Sequence, residues 1–205
     1  MRKINIRDSI LGRRTIFDYK PEKIDHNLLI SLFNDAAYAP NHHMKEPWKL
    51  KVYQDEARLV FGRKIVESYI RLGLLNNLSK EDLEKARRKY DRFFYSIPHH
   101  ILFYMDKEND AGYQDDENYA AVCAFIQNFQ LLAWEKGIGT MWTAKPVLLD
   151  EIFIKAVGLS AEKQRLIAVL QVGYPNKIPR SRGRKRMDDS IEWIQSQSDN
   201  DERNA

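Results

Sequence analysis

Two apolar runs restrict what this chain can fold into more than any other feature. His99 to Met105 (His-His-Ile-Leu-Phe-Tyr-Met) and Arg165 to Val172 (Arg-Leu-Ile-Ala-Val-Leu-Gln-Val) have the length of strands. They lack the polar–apolar alternation of a strand with one wet face, so each must be covered on both sides. Between them lies the longest helix candidate, Asn118 to Lys136, apolar nearly all round and stopped by Gly137 and Gly139. Such a helix belongs in a core or against a second subunit. With 205 residues, 43% of them hydrophobic, the chain can bury a core of that size.

Shorter elements fill in around this frame. Ile4 to Gly12 reads as a helix whose glycine can take the left-handed cap, and Ile16 to Tyr19 as a short strand before Pro21. Asp25 is a good N-cap for a helix carrying Leu28, Leu29, Leu32, Phe33, Ala36 and Ala37 at a 3.6-residue period, which Pro40 ends. A strand follows from Trp48 to about Gln54, then a helix from Ala57 to Ser68. Asn76 to Tyr95 is the most charged stretch; Ser79 with Asp82 resembles a capping box. Its aromatic end, Tyr90, Phe93, Phe94 and Tyr95, fits either a lid over a pocket or an ordinary packing face. Asp106 to Glu117 reads as loop, Thr140 to Thr143 as a strand, and Pro146 to Gly158 as a helix closed by its glycine. Gly173-Tyr174-Pro175 is a turn, Lys177 to Arg186 is basic and irregular, and Ile191, Trp193 and Ile194 make a short amphipathic piece. These are expected to form one domain over residues 1–190 with a tail over 191–205, polar and disordered from Gln195. Strands alternating with helices make the chain α/β or α+β.

Several chemistries are excluded. The single cysteine, Cys123, rules out an intramolecular disulfide framework and a cysteine-cluster metal site, and its apolar surroundings suit a small core residue. His42-His43 and His99-His100 are adjacent pairs, not the i, i+4 pairs that hold one ion, so no metal site is expected. There is no nucleophile elbow, no glycine-rich phosphate loop and no GxGxxG. No catalytic side chain stands out. No run reaches the ~18 apolar residues of a membrane span, and the N-terminus lacks the apolar core of a secretory signal, so a cytoplasmic protein is expected. An organic cofactor would supply the missing chemistry.

Two stretches could hold one. Arg13-Arg14-Thr15 places two guanidiniums and a hydroxyl beside a helix end, suited to phosphate oxygens, although an isolated Arg-Arg pair more often faces water. Ala39 to Trp48 concentrates Asn41, two histidines, Lys45, Glu46 and an indole between two prolines, where a plain connection needs no such density.

Taken in order, Arg13-Arg14-Thr15, Ala39-Pro40-Asn41-His42 leading to Glu46-Pro47-Trp48, Gly137 to Thr143, and Val172-Gly173-Tyr174-Pro175 resemble the FMN-dependent nitroreductase family. The resemblance spans about Ile10 to Asp189. It implies an α+β fold with a central, mostly antiparallel sheet and a homodimer with FMN at its interface. It also implies an NAD(P)H oxidoreductase that reduces nitroaromatics, quinones or similar electron-poor acceptors by ping-pong hydride transfer through the flavin. Carried over by position, Arg13, Arg14 and Thr15 would contact the FMN phosphate, ribityl chain and flavin edge. His42 would reach the flavin of the other subunit, Trp142, Thr143 and Ala144 would pass the ring, and Arg184, or Arg182, would close on the phosphate. Glu46 departs from the family's usual amide, which removes a donor to the flavin edge. Members also often carry glycine near Ala144.

Two other readings stand beside this one. Arg180 to Arg186 with Lys85 to Arg92 could form a nucleic-acid-binding surface, although charge runs are more often solvated faces and the net charge of +4 is small beside 33 basic and 29 acidic residues. The same fold and flavin could instead serve a specific metabolite or a redox sensor.

Overall fold

The computed structural model describes residues 5–108, 112–143 and 146–194. Both continuous apolar runs are central strands of one antiparallel sheet. Its strands are β1 (Lys49–Tyr53), β2 (His99–Asp106), β3 (Gly139–Thr143) and β4 (Gln164–Gly173), in the order β1-β2-β4-β3. Helices α1 (Ile6–Gly12), α2 (His26–Ala36), α3 (Glu56–Arg71), α4 (Lys80–Ser96), α5 (Tyr113–Glu135) and α6 (Glu151–Ala156) complete the described fold. This is the α+β architecture with an antiparallel sheet that the resemblance implied.

Coverage of both sheet faces explains the missing alternation. Ile101, Phe103 and Met105 of β2 enter the core formed with α2 and α5, while Leu102 enters the core formed with α3 and α6. In β4, Leu170 and Val172 face the first core and Leu166 and Val169 the second. The ladder slips between Phe103 and Tyr104, whose partners are Ala168 and Leu166, so Ile167 is an extra residue. That bulge lets Ile167 and Ala168 both serve the first core. Phe61, Phe103, Phe125, Phe129 and Phe153 are among the fully buried side chains, and burying each stabilises the fold by about 1.5–3 kcal/mol. Trp48, from the dense loop, stacks on Phe125 with ring centroids 5.1 Å apart. Its role is packing.

The N-caps follow the sequence. Asp25 accepts from the Leu28 N–H and Ser79 from the Asp82 N–H. Other expectations need correction. Ile16 to Tyr19 is not a strand: the segment makes one parallel bridge, Thr15 to Thr140, and one antiparallel bridge, Tyr19 to Pro175. Between these two bridges it forms no continuous ladder, and Phe17 is left largely exposed beside the cavity described below. Gly12 does not adopt a positive φ; a Cβ there would come within 3.2 Å of Trp134 Nε1, so it serves close helix packing. Helix α5 begins at Tyr113, five residues before the expected start, taking part of the stretch read as loop. Pro146 to Gly158 is two pieces, a 3-10 turn over Pro146–Leu149 and then α6, divided at Asp150, whose carboxylate caps α6. Ile191 to Ile194 form no helix or strand and are exposed. The tail beyond residue 194 lies outside the described residues. Among the described residues no helix is long and apolar enough to cross a membrane.

Candidate functional site

A cavity of about 790 Å³ opens between the α3–α4 hairpin and the β3 edge of the sheet. Its sheet side carries Thr15, Trp142, Thr143 and Gln171; its opposite wall is built from Tyr69 of α3 and Tyr90 and Phe93 of α4. Three residues assigned from sequence, Thr15, Trp142 and Thr143, therefore meet in one place. Topology explains how. β3 is an edge strand, so its free side is open to the N-terminal segment, and Ile16 N–H donates to the Thr140 carbonyl at 3.0 Å. That bond sets Thr15 at the mouth of the cavity.

The same segment joins the two ends of the chain. Lys20 N–H donates to the Tyr174 carbonyl at 2.8 Å and Asn176 N–H to the Asp18 carbonyl at 3.0 Å. Residues 13–14 and the basic stretch after Pro175 are drawn together as a result. Burial, then the guanidiniums of Arg14 and Arg184, pull the pKa of Arg13 below its ordinary value. Arg14 donates to the carbonyls of Leu11 and Arg13, and Arg184 to those of Arg182 and Gly183. None of the three arginines makes an ion pair among the described residues. A cluster of guanidiniums without a carboxylate is stable only with an anion or water among them, and its forks match phosphate oxygens.

Polar groups inside the cavity are few and ordered. Thr143 Oγ1 donates to Gln171 Oε1 at 3.1 Å, and Gln171 is otherwise buried in β4. Gln130 Nε2 of α5 donates to Thr140 Oγ1 at 2.8 Å, tying β3 to the central helix. Tyr69 is buried, and burial raises its phenol pKa further above neutrality. Among the described residues no carboxylic acid and no imidazole lines the cavity.

His42 is not gathered into this site. It lies in a 3-10 turn over His42–Met44, exposed, with its ring 3.9 Å from that of His43, and it does not line the cavity. The turn is unusual: His43, Met44 and Glu46 all have φ near +50° without being glycine. Such backbone costs roughly 1–3 kcal/mol per residue and persists only where its surroundings hold it. Here the Asn41 side chain accepts from the Glu46 N–H at 2.9 Å, and Lys45 pairs with Glu108, which also accepts from Asn118 of α5. Glu46 itself is exposed. Ala144 lies outside the described residues.

Sequence reasoning missed Gln171 and Tyr69 of α3 as cavity walls. Gln171 had a signal, a lone amide inside an apolar strand. The role of α4 was left open, and the structure places its aromatic end against the cavity, with Phe94 buried beneath. The nucleic-acid reading gains little, because Lys85 and Arg87 of α4 pair with Glu81, Asp82 and Glu84 on the same helix.

This chain is similar to known proteins in sequence and fold. YfhC of Bacillus subtilis (strain 168), whose own assignment as an NAD(P)H nitroreductase is provisional, is 31% identical over 175 residues, 85% of this chain and 86% of its own. A nitroreductase-like family protein from Bacillus cereus superposes with a TM-score of 0.82 at 34% identity, covering 94% of this chain and 97% of that one. A provisionally assigned nitroreductase from Desulfovibrio desulfuricans, crystallised with FMN, shares the fold at a TM-score of 0.71 and 17% identity, with 94% and 98% covered. The Nitroreductase family pattern matches residues 10–174, and the chain belongs to that family.

Proposed function

We propose that this protein is an FMN-dependent NAD(P)H oxidoreductase that reduces electron-poor acceptors such as nitroaromatics and quinones. The observation that carries this reading is the convergence of Arg13, Arg14 and Arg184 at the margin of the sheet that also walls an aromatic cavity. FMN, with a dianionic phosphate at one end and a flat ring at the other, has the two chemistries these neighbouring features accept. The FMN of the D. desulfuricans relative and the NAD(P)H in the description of YfhC point the same way.

Each group has a defined task. Arg13, Arg14 and Arg184 neutralise the phosphate. The hydroxyls of Thr15 and Thr143 and the amide of Gln171 are the polar groups available to the heteroatom edge of a ring. Trp142, Tyr90 and Phe93 supply aromatic surface that excludes water and favours stacking. When bound, FMN supplies hydride acceptance from NAD(P)H and hydride delivery to the acceptor. Among the described residues no carboxyl or imidazole lines the cavity, and in this reading solvent is the proton source.

A dimer belongs to this reading. α1 and the His42–Met44 turn both pack on α5, and they expose Ile6, Ile10, Leu11 and Met44, with Tyr38 90% exposed nearby in sequence. Exposed apolar side chains grouped on these neighbouring elements fit an interface with a second copy. Association across it would bring His42 of one copy toward the site of the other. The test is the visible spectrum of purified protein, before and after anaerobic NADPH. A flavin spectrum that bleaches supports the proposal; protein that stays colourless after FMN is added and excess removed overturns it. Sedimentation as a strict monomer overturns the dimer.

A further inference from the structure

We infer that Lys89 makes this cavity selective for flat ring ligands that carry an anionic group. The inference rests on the functional reading above for the identity of the cavity, and on the following features for its charge preference.

Lys89 is the one charged residue lining the cavity among the described residues. It lies on α4 one position before Tyr90, and the helical period sets it over the same face as Phe93, four residues on. Its aliphatic stem can follow that aromatic wall while the ammonium stays in water at the mouth. Two other cations of this helix are neutralised within it, Lys85 by Glu81 and Asp82 and Arg87 by Glu84, and Asp91 is held by Arg63 of α3. Lys89 has no ion pair among the described residues. Its neighbour one turn on, Arg92, is basic and makes no ion pair among the described residues, so the local field at the mouth is positive. The guanidiniums of Arg13, Arg14 and Arg184 do not line the cavity and are committed to the phosphate in the functional reading. Lys89 is therefore a cation at the rim of an apolar slot with no carboxylate in it. A ring entering the slot with a sulfonate, carboxylate or phosphate trailing toward solvent would satisfy both parts; a neutral ring would satisfy one.

Two molecules could present that chemistry, an anionic acceptor or the phosphorylated reductant. Steady-state kinetics separate them. The ratio of kcat/KM for 1,4-naphthoquinone-2-sulfonate over 1,4-naphthoquinone reports the acceptor, and the ratio for NADPH over NADH reports the reductant. In the wild type, at least one ratio is expected to favour the anionic member at low salt, and to shrink as ionic strength rises. Lys89→Gln should reduce that ratio roughly fivefold, the effect of one partly exposed ion pair, and Lys89→Arg should preserve it. Arg88→Gln, which removes a charge from the same helix outside the cavity, should leave it in place. A reduced acceptor ratio assigns the anion to the acceptor, and a reduced NADPH ratio to the reductant. If Lys89→Gln changes neither ratio more than Arg88→Gln does, or shifts only the midpoint potential of the flavin, the inference is overturned while the oxidoreductase stands. If the protein takes up no FMN, the functional reading fails; the charge preference is then read from quenching of Trp142 fluorescence by the two quinones, with Trp142→Phe identifying the signal. Equal quenching constants for the two in wild type and Lys89→Gln overturn it there too.

Discussion

Between pH 7.5 and 5 the stability of this protein should fall by about 4 kcal/mol, and most of that should trace to two adjacent imidazoles at the start of β2. His99 and His100 are both fully buried. His99 Nε2 accepts from the Ile24 N–H at 3.0 Å, which puts its proton on Nδ1, where no partner exists among the described residues. His100 Nε2 donates to the Phe94 carbonyl at 3.0 Å, leaving its Nδ1 as an unpartnered acceptor. Burial, then the nearby Arg58 guanidinium, lowers His99 to about 4, against a small opposing pull from Asp55. Burial lowers His100 to about 4 as well, with Arg58 and His99 adding to it and the Phe94 hydrogen bond opposing. In the unfolded chain both imidazoles take up protons below about pH 6.5. The unfolded state then binds more protons than the native one, so stability drops as pH falls from 6.5 to 4 and levels off below. At pH 5 each histidine accounts for about 2 kcal/mol, and the slope for the pair approaches about 2.7 kcal/mol per pH unit. Against the usual 5–15 kcal/mol of a domain this is a large fraction. Carboxylates held low by hydrogen bonds, Asp106 by Lys49 and Glu108 by Lys45, act in a lower window, since their unfolded values are near 4. Urea titrations followed by circular dichroism from pH 5 to 7.5 measure the slope. His99→Gln and His100→Gln, which keep an acceptor and a donor respectively, should each remove about half of it. A double variant with the wild-type slope, or a native imidazole titrating near 6.5 by NMR, would refute the reasoning.

Three further outcomes are expected. Arg13→Met should weaken FMN binding roughly 10–100-fold, the loss of a charge-assisted hydrogen bond, while leaving the thermal stability of the flavin-free protein unchanged or raised because a repulsive guanidinium is gone; flavin fluorescence and melting curves check both halves. Asp150→Ala should cost about 2–4 kcal/mol in urea, because burial alone would raise this carboxyl and the Ser68 hydroxyl at 2.5 Å and the Arg71 guanidinium at 2.7 Å hold it low, while its cap of the Ile152 N–H is also lost. Asp150→Asn, which keeps the cap, should cost less. Gly62→Ala should cost about 1–3 kcal/mol, since a Cβ there would stand 2.5 Å from Phe94 and force α3 away from α4; a melting temperature equal to wild type would show that the hairpin has room to spare.

Much of the frame was legible because its cause is local. The runs at His99 and Arg165 and the helix after Asn118 owe their form to periodicity and continuous apolarity, and Asp25 and Ser79 to capping chemistry within three residues. The arginine pair and the motifs in family order pointed to the cofactor reading before any coordinate. Local patterns failed where a partner far along the chain decides. Ile16 to Tyr19 alternates like a strand but meets only Thr140 and Pro175, and Gly12 is small because Trp134 lies beside it.

Composition and pattern thus determined, by themselves, that two strands must be buried on both faces, where most helices begin, and which side chains could meet a phosphate. Only the tertiary structure decided that Arg13 and Arg184 are neighbours, that Gln171 and the α4 aromatics wall the same cavity as Thr15, and that Lys89 stands alone at its mouth. The reason is physical. Helix and strand signals come from contacts three or four residues apart, whereas a binding cavity is made by β-pairing and packing between segments over a hundred residues apart, whose register no single segment encodes.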